Sequence, residues 1–128
     1  MKLNKIHHIA IICSDYEKSK DFYVNVLGFE VLRETYREDR DSYKLDLMLD
    51  GEYQLELFSF PNRPERPSDP GALGLGHLAV GGGDCEDAID ELEKKGIEVE
   101  EIRVDPYTNK RFTFFQDPDK QPLELYEK

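Results

Sequence analysis

The sequence predicts an α+β fold made of two tandem β-α-β-β-β modules. Three observations predict it: similar words recur at a near-constant offset, each half holds one stretch of helical periodicity, and strand-like alternation fills the rest. His8 and His77 are 69 residues apart, as are Asp15 and Asp84, while Gly28 and Gly96, like Glu56 and Glu124, are 68 apart. "HHIAI" answers "GHLAV", "GFEV" answers "GIEV" and "LELF" answers "LELY". One four-stranded sheet with one helix cannot bury both its faces. Two copies are therefore expected to form a curved eight-stranded mixed sheet around a cavity, with the helices outside.

Residues 5–12 read as a strand, and "SDYE" at 14–17 fits a Ser-x-x-Glu capping box opening a helix that runs to about Leu27 and stops at Gly28. "FEVLRETY" (29–36) is the next strand. "YKLDLML" (43–49) and "YQLELFSF" (53–60) follow as a hairpin, joined through the Asp50-Gly51 pair that favours a tight turn. Residues 1–60 make the first module. The proline-rich stretch 61–74 reads as a connection, and 75–128 as the second module. There "GHLAV" (76–80) is a strand, and a helix runs from an Asp84 cap to about Lys95 with Gly96 beyond it. "IEVEEIRV" (97–104), "RFTFF" (111–115) and "PLELYE" (122–127) supply three further strands.

The chain has 128 residues, 38% of them hydrophobic, which suits a single domain with a core and offers no run long enough to span a bilayer. With 28 acidic and 17 basic residues its formal charge is −11, which repels nucleic acid and anionic lipid. Small molecules and protein partners remain. Cys13 and Cys85 lack metal-type spacing and read as reduced core residues, so a cytoplasmic location is expected. The glycines of "GALGLG" and "GGGDCED" read as loop and helix entry rather than phosphate cradles, because the first opens no helix and acidic residues crowd the second.

The repeat also selects chemistry. His8 matches His77, whereas His7 matches Gly76. Strand alternation puts Leu55 and Leu57 on one face of "QLELF" and Glu56 on the other, and treats Leu123, Leu125 and Glu124 alike. The leucines suit the helix-covered face, which leaves Glu56, Glu124 and His8 on the opposite face and turns His7 toward the helix. Two imidazoles and two carboxylates offset a 2+ charge and leave positions for water or substrate, so a divalent metal site at His8, Glu56, His77 and Glu124 is expected. The mixed nitrogen and oxygen set suits nickel, cobalt or zinc, and also manganese or ferrous iron.

These residues resemble the vicinal oxygen chelate superfamily, which includes glyoxalase I, extradiol dioxygenases and the fosfomycin and bleomycin resistance proteins. "HHIAI", "SDYEKSKDFYVNVLGFEV", "ELF", "GHLAV" and "FFQDPDKQPLELYE" carry the similarity over nearly the whole chain. Lys120 departs from it, standing where the family's turn usually has glycine. The resemblance implies one divalent ion held by the four residues named, in the His-and-Glu version found in glyoxalase I. It implies a lyase or isomerase of lactoylglutathione lyase type that acts on a small substrate with adjacent oxygens through a metal-stabilised enediolate. Glu56 and Glu124 are both candidates for the catalytic base, with the resemblance favouring Glu124. A homodimer is also implied. The competing readings are a non-catalytic antibiotic-binding protein and a ring-cleaving dioxygenase of the same fold.

For the substrate, Arg37, Arg40, Arg103 and Arg111 stand at long polar strand ends, where they can meet an anion or form exposed ion pairs. Phe58 and Phe60 supply an apolar wall. The family's glutathione-binding arginine and asparagine, each four residues after a metal ligand, correspond to Ile12 and Phe60. Neither makes such polar contacts, so weak or absent turnover of the glutathione hemithioacetal is expected.

Overall fold

A computed structural model describes residues 1–66 and 71–128. The chain divides into two compact units, Met1–Glu65 and Arg66–Lys128. The proline-rich connection expected over 61–74 falls partly on residues 67–70, outside the described residues. The first unit contains β1 (Ile9–Cys13), α1 (Tyr16–Asp21), β2 (Glu30–Arg37), β3 (Ser42–Leu49) and β4 (Glu52–Ser59). The second contains β5 (Leu78–Gly81), α2 (Cys85–Lys94), β6 (Arg103–Val104), β7 (Arg111–Gln116) and β8 (Pro122–Tyr126). Each has the β-α-β-β-β order. The strands hydrogen-bond as two four-stranded sheets, β1-β4-β3-β2 and β5-β8-β7-β6. In each, the first strand runs parallel to the last and the other neighbours are antiparallel.

Both helices begin on an aspartate at repeat-equivalent places. Asp84 accepts from the backbone N–H groups of Glu86 (2.8 Å) and Asp87 (3.1 Å), satisfying donors that the first turn leaves open. Asp15, not Ser14, caps α1 by accepting from Lys18 N at 3.2 Å, which corrects the expected capping box by one residue. The helix expected to reach Leu27 changes character after Asp21. Phe22–Val26 form a π-helical turn in which Leu27 N–H donates to the Phe22 carbonyl at 3.0 Å. The wider turn accommodates two adjacent aromatics that are both buried, Phe22 and Tyr23. Gly28 then takes φ +87°, where a side chain is strained, and lets Phe29 N–H close back on the Tyr23 carbonyl at 2.9 Å.

The β3–β4 turn follows from Asp50-Gly51, both left-handed at φ 53° and 77°. Leu45, Leu47, Leu55 and Leu57 lie on the two strands it joins and are almost wholly excluded from solvent. They face α1, which packs on β4. In the second unit Cys85, Leu92, Phe115, Leu123 and Leu125 are buried, and α2 packs against β7. The strand expected over 97–104 is shorter than its alternation suggests. Val99 makes an isolated bridge to Phe115, and regular pairing is confined to Arg103–Val104. The Thr113 hydroxyl explains the break, because it donates to the Glu100 and Glu101 carbonyls that a continuous ladder would use. Among the described residues, no helix is long and apolar enough to cross a membrane.

Two bulges interrupt the first sheet. Leu47 pairs with Leu55 but Met48 pairs with Tyr53, so Gln54 is an extra residue in β4. Val31 pairs with Leu47 but Arg33 pairs with Asp46, so Leu32 is an extra residue in β2. Each bulge reverses the facing of the residues beyond it.

Candidate functional site

The register of the two parallel strand pairs is the same in both units. Ala10 lies beside Glu56, and Ala79 lies beside Glu124. A methyl group at this point leaves room for the histidine two residues upstream to reach its glutamate. His8 Nε2 stands 3.4 Å from Glu56 Oε1, and His77 Nε2 stands 2.8 Å from Glu124 Oε2. The glutamate side chains are nearly covered, at 11% and 12% exposure, while the imidazoles remain accessible at 36% and 45%. Each unit thus brings together the histidine and glutamate that the repeat pairs.

Neutral imidazole nitrogen and carboxylate oxygen are ordinary donors for a divalent ion. Two donors each about 2.1 Å from one ion lie about 3.0 Å apart at a right angle and about 3.4 Å apart at the tetrahedral angle. The His8–Glu56 separation lies at the top of that range and the His77–Glu124 separation just below it, so a small movement of the second pair would fit such an ion. Among the described residues, no group of three or more histidine, cysteine, aspartate or glutamate side chains is gathered that could hold a metal ion; the donors lie as one His–Glu pair in each unit.

His7 does not turn toward the helix, as alternation predicts. The ladder begins only at Ile9, so the preceding residues escape its alternation. The His7 Nδ1 lies 2.9 Å from His8 Nδ1, which leaves His8 Nε2 directed to Glu56. Both rings rest on Tyr53: His8 stacks on it at 5.0 Å between centroids, and His7 meets it edge-on at 5.5 Å.

Tyr53 is a site residue that alternation alone hides. It lies three positions before Glu56, which in an unbroken strand would put it on the leucine face; the bulge at Gln54 brings it to the glutamate. Its hydroxyl donates to Glu56 Oε2 at 2.6 Å and lies 3.0 Å from Asp46 Oδ1. Burial, reinforced by these two carboxylates, pushes its phenol far above the ordinary value. The same register places buried Asp46 opposite Glu56. Two facing carboxylates repel, and Lys44 offsets this: its Nζ is 3.2 Å from Asp46 Oδ1 and 3.7 Å from Glu56 Oε2. Arg33 Nε stands farther off, 3.8 Å from Asp46. The hairpin's leucine pattern, read for register, is the signal that exposes this cluster.

The second unit is built differently around its pair. Phe114 stands opposite Glu124 where Asp46 stands opposite Glu56, and His77 meets its ring edge-on at 5.2 Å. The Arg103 guanidinium lies over the same ring at 5.4 Å and donates to Glu100 at 2.7 Å. The residue matching Tyr53 at the 68-residue offset is Gln121, which accepts from Arg66. Arg111 is occupied by three carboxylates, Asp84 (3.1 Å), Glu86 (3.0 Å) and Glu127 (3.0 Å), an arrangement that secures α2 to the sheet. Arg40 lies exposed in a single 3-10 turn, Glu38–Arg40. Phe58 and Phe60 stack on each other at 5.7 Å beneath Arg37.

The model of the Glyoxalase/Bleomycin resistance protein/Dioxygenase superfamily matches residues 5–125. The chain belongs to this superfamily. It is 66% identical over 127 residues to the uncharacterized protein YwkD of Bacillus subtilis, covering 99% of each chain. The crystal structure of a glyoxalase family protein from Enterococcus faecalis is 50% identical, with a TM-score of 0.89 over 99% of this chain and 100% of that one. A variant of the fosfomycin resistance protein FosX from Listeria monocytogenes, complexed with Mn(II) and a dihydroxypropylphosphonic acid, shares the fold at 19% identity. Its TM-score is 0.71 over 98% of this chain and 93% of that one. Superfamily members thus include proteins that bind a divalent metal and small molecules, and the modular layout seen here is theirs.

Proposed function

We propose that the chain is a metal-dependent enzyme of glyoxalase type, a lyase or isomerase acting on a small substrate with adjacent oxygens. His8, Glu56, His77 and Glu124 would hold one divalent ion, with nickel, cobalt or zinc the first candidates and manganese or iron next. One observation carries this reading: both units present a His–Glu pair at the same register, beside Ala10 and Ala79. A divalent ion bound there supplies positive charge that polarises the substrate's oxygens and acidifies the neighbouring C–H bond.

The chain's own groups divide the remaining work. Glu56 is held by Tyr53 and flanked by Lys44, so its carboxylate is fixed and suits a ligand. Among the described residues Glu124 has His77 as its ion-pair partner and no comparable phenol or lysine. It is the freer carboxylate and takes the carbon-bound proton. Phe58, Phe60 and Ile12 provide apolar surface, with Arg40 and Arg103 at the rim. Arg111 is left to structure.

The protein is proposed to work in the cytoplasm as a homodimer, which sedimentation at micromolar concentration tests. The function is tested by reconstituting with nickel, cobalt and zinc and assaying the methylglyoxal–glutathione hemithioacetal beside dicarbonyls, 2-hydroxy ketones and catechols. Proton transfer on a dicarbonyl or hydroxy ketone, with kcat/KM for the hemithioacetal below about 10⁴ M⁻¹s⁻¹, is expected. Efficient hemithioacetal turnover would make this a lactoylglutathione lyase. Catechol cleavage would favour the dioxygenase reading, and binding without turnover the antibiotic-binding one.

A further inference from the structure

Arg37 is an anomaly in so acidic a chain. With 28 carboxylate side chains against 17 lysines and arginines, an arginine in a sheet ordinarily finds an acidic neighbour, as Arg111 finds three. Among the described residues Arg37 has no carboxylate within ion-pair distance. Its guanidinium lies instead over two phenylalanine rings, 4.7 Å from the centroid of Phe58 and 5.6 Å from that of Phe60. One arm, Nη2, donates to Ser42 Oγ at 2.9 Å. Its Nε is buried with no hydrogen-bond partner. A partly desolvated guanidinium attracts an anion more strongly than a solvated one, and with Nε out of solvent reach the contact falls to the Nη groups. The aromatic rings fix its plane, which prepares it for two-point contact with an oxyanion.

The sheet sets this cation on the side of the candidate metal ligands. Arg37, across from Ser42, falls in the same alternation as Arg33 across from Asp46. On β4, Phe58 follows Glu56 by two residues, which places it on the same face about 7 Å farther along the strand. We propose that Arg37, seated on Phe58 and Phe60, is the specificity site for a carboxylate or other oxyanion group of the substrate, one separate from the oxygens directed to the metal. This rests on the proposed metal-dependent function and adds the class of substrate: a small acid whose anionic group lies one to three carbons from its reacting oxygens.

The test compares 2-oxoglutarate with 2-oxopentanoate, which share the 2-oxo acid end and differ in the distal carboxylate. Calorimetric titrations are run on zinc-loaded and metal-free protein, for the wild type, Arg37→Met and Arg37→Lys. Methionine keeps apolar packing on the rings without the charge; lysine keeps the charge without the planar fork. Wild-type protein is expected to bind 2-oxoglutarate about ten- to hundredfold more tightly than 2-oxopentanoate. Arg37→Met should erase that preference and Arg37→Lys retain part of it. The Arg37 Nε–Hε resonance should shift with 2-oxoglutarate and not with 2-oxopentanoate. Equal affinities in the wild type, no measurable binding of 2-oxoglutarate, or a preference unchanged in both variants overturns the proposal. The metal reading fails separately: zinc then alters neither affinity, whatever Arg37 does.

Discussion

Tyr53 donates its phenolic hydrogen to Glu56 across 2.6 Å while its ring lies flat on His8, so one side chain orients both members of the first unit's pair. An outer group that orients a metal ligand commonly contributes ten- to hundredfold in affinity. Tyr53→Phe keeps the ring and loses the hydrogen bond; it is expected to weaken divalent-ion binding about tenfold in competition with a chromophoric chelator. Tyr53→Leu also removes the stack and should weaken it more. Equal affinities for the wild type and both variants would show that Tyr53 does not position the pair.

The two glutamates are predicted to fail in different ways. Glu124→Gln removes the proposed base but keeps an amide oxygen that can still ligate, so it should lower kcat by about 10² to 10⁴, with metal affinity weakened but uptake still measurable. Glu56→Gln should chiefly weaken metal uptake, because Tyr53 and Lys44 hold that carboxylate in place. Identical profiles in metal content and kcat would remove the distinction.

Arg111 is predicted to matter for acid stability. Backbone and side-chain hydrogen bonds from Arg111 lower Glu127 below its ordinary 4.5, and the first backbone N–H groups of α2, with Arg111, lower Asp84 below its ordinary 3.8. Carboxylates lowered in the folded state stabilise it fully above their ordinary values and lose that contribution as pH falls through the lowered ones. Stability should therefore decline as pH drops below about 4.5 and continue to decline below 3.8. Arg111→Met should shallow that decline, measured as the urea midpoint against pH. An unchanged slope would show that these carboxylates owe little to Arg111.

Much of the fold was legible in the sequence because the physical constraint was local. Asp50-Gly51 demands a left-handed turn, Asp84 a helix start, and the alternation in "LELF" and "LELY" sets each glutamate opposite its leucines. The repeat then singles out His8 and His77. What stayed hidden depends on departures from regular alternation. The bulges at Leu32 and Gln54 turn Arg33 and Tyr53 toward Asp46 and Glu56. Thr113 interrupts the strand expected over 97–104 by capturing backbone carbonyls from across the sheet. His7 lies before the first ladder residue, so its contact with His8 could not follow from strand parity.

The most direct measurement is the divalent-ion stoichiometry and affinity of the purified chain by titration with zinc, nickel and cobalt, repeated on alanine variants of His8, Glu56, His77, Glu124 and His7. One ion per chain is predicted. Each of the first four variants should lose far more affinity than His7→Ala, whose side chain lies outside the proposed ligand set. Absence of specific binding, or a loss confined to the His8–Glu56 pair with His77 and Glu124 indifferent, would contradict a centre built from both pairs.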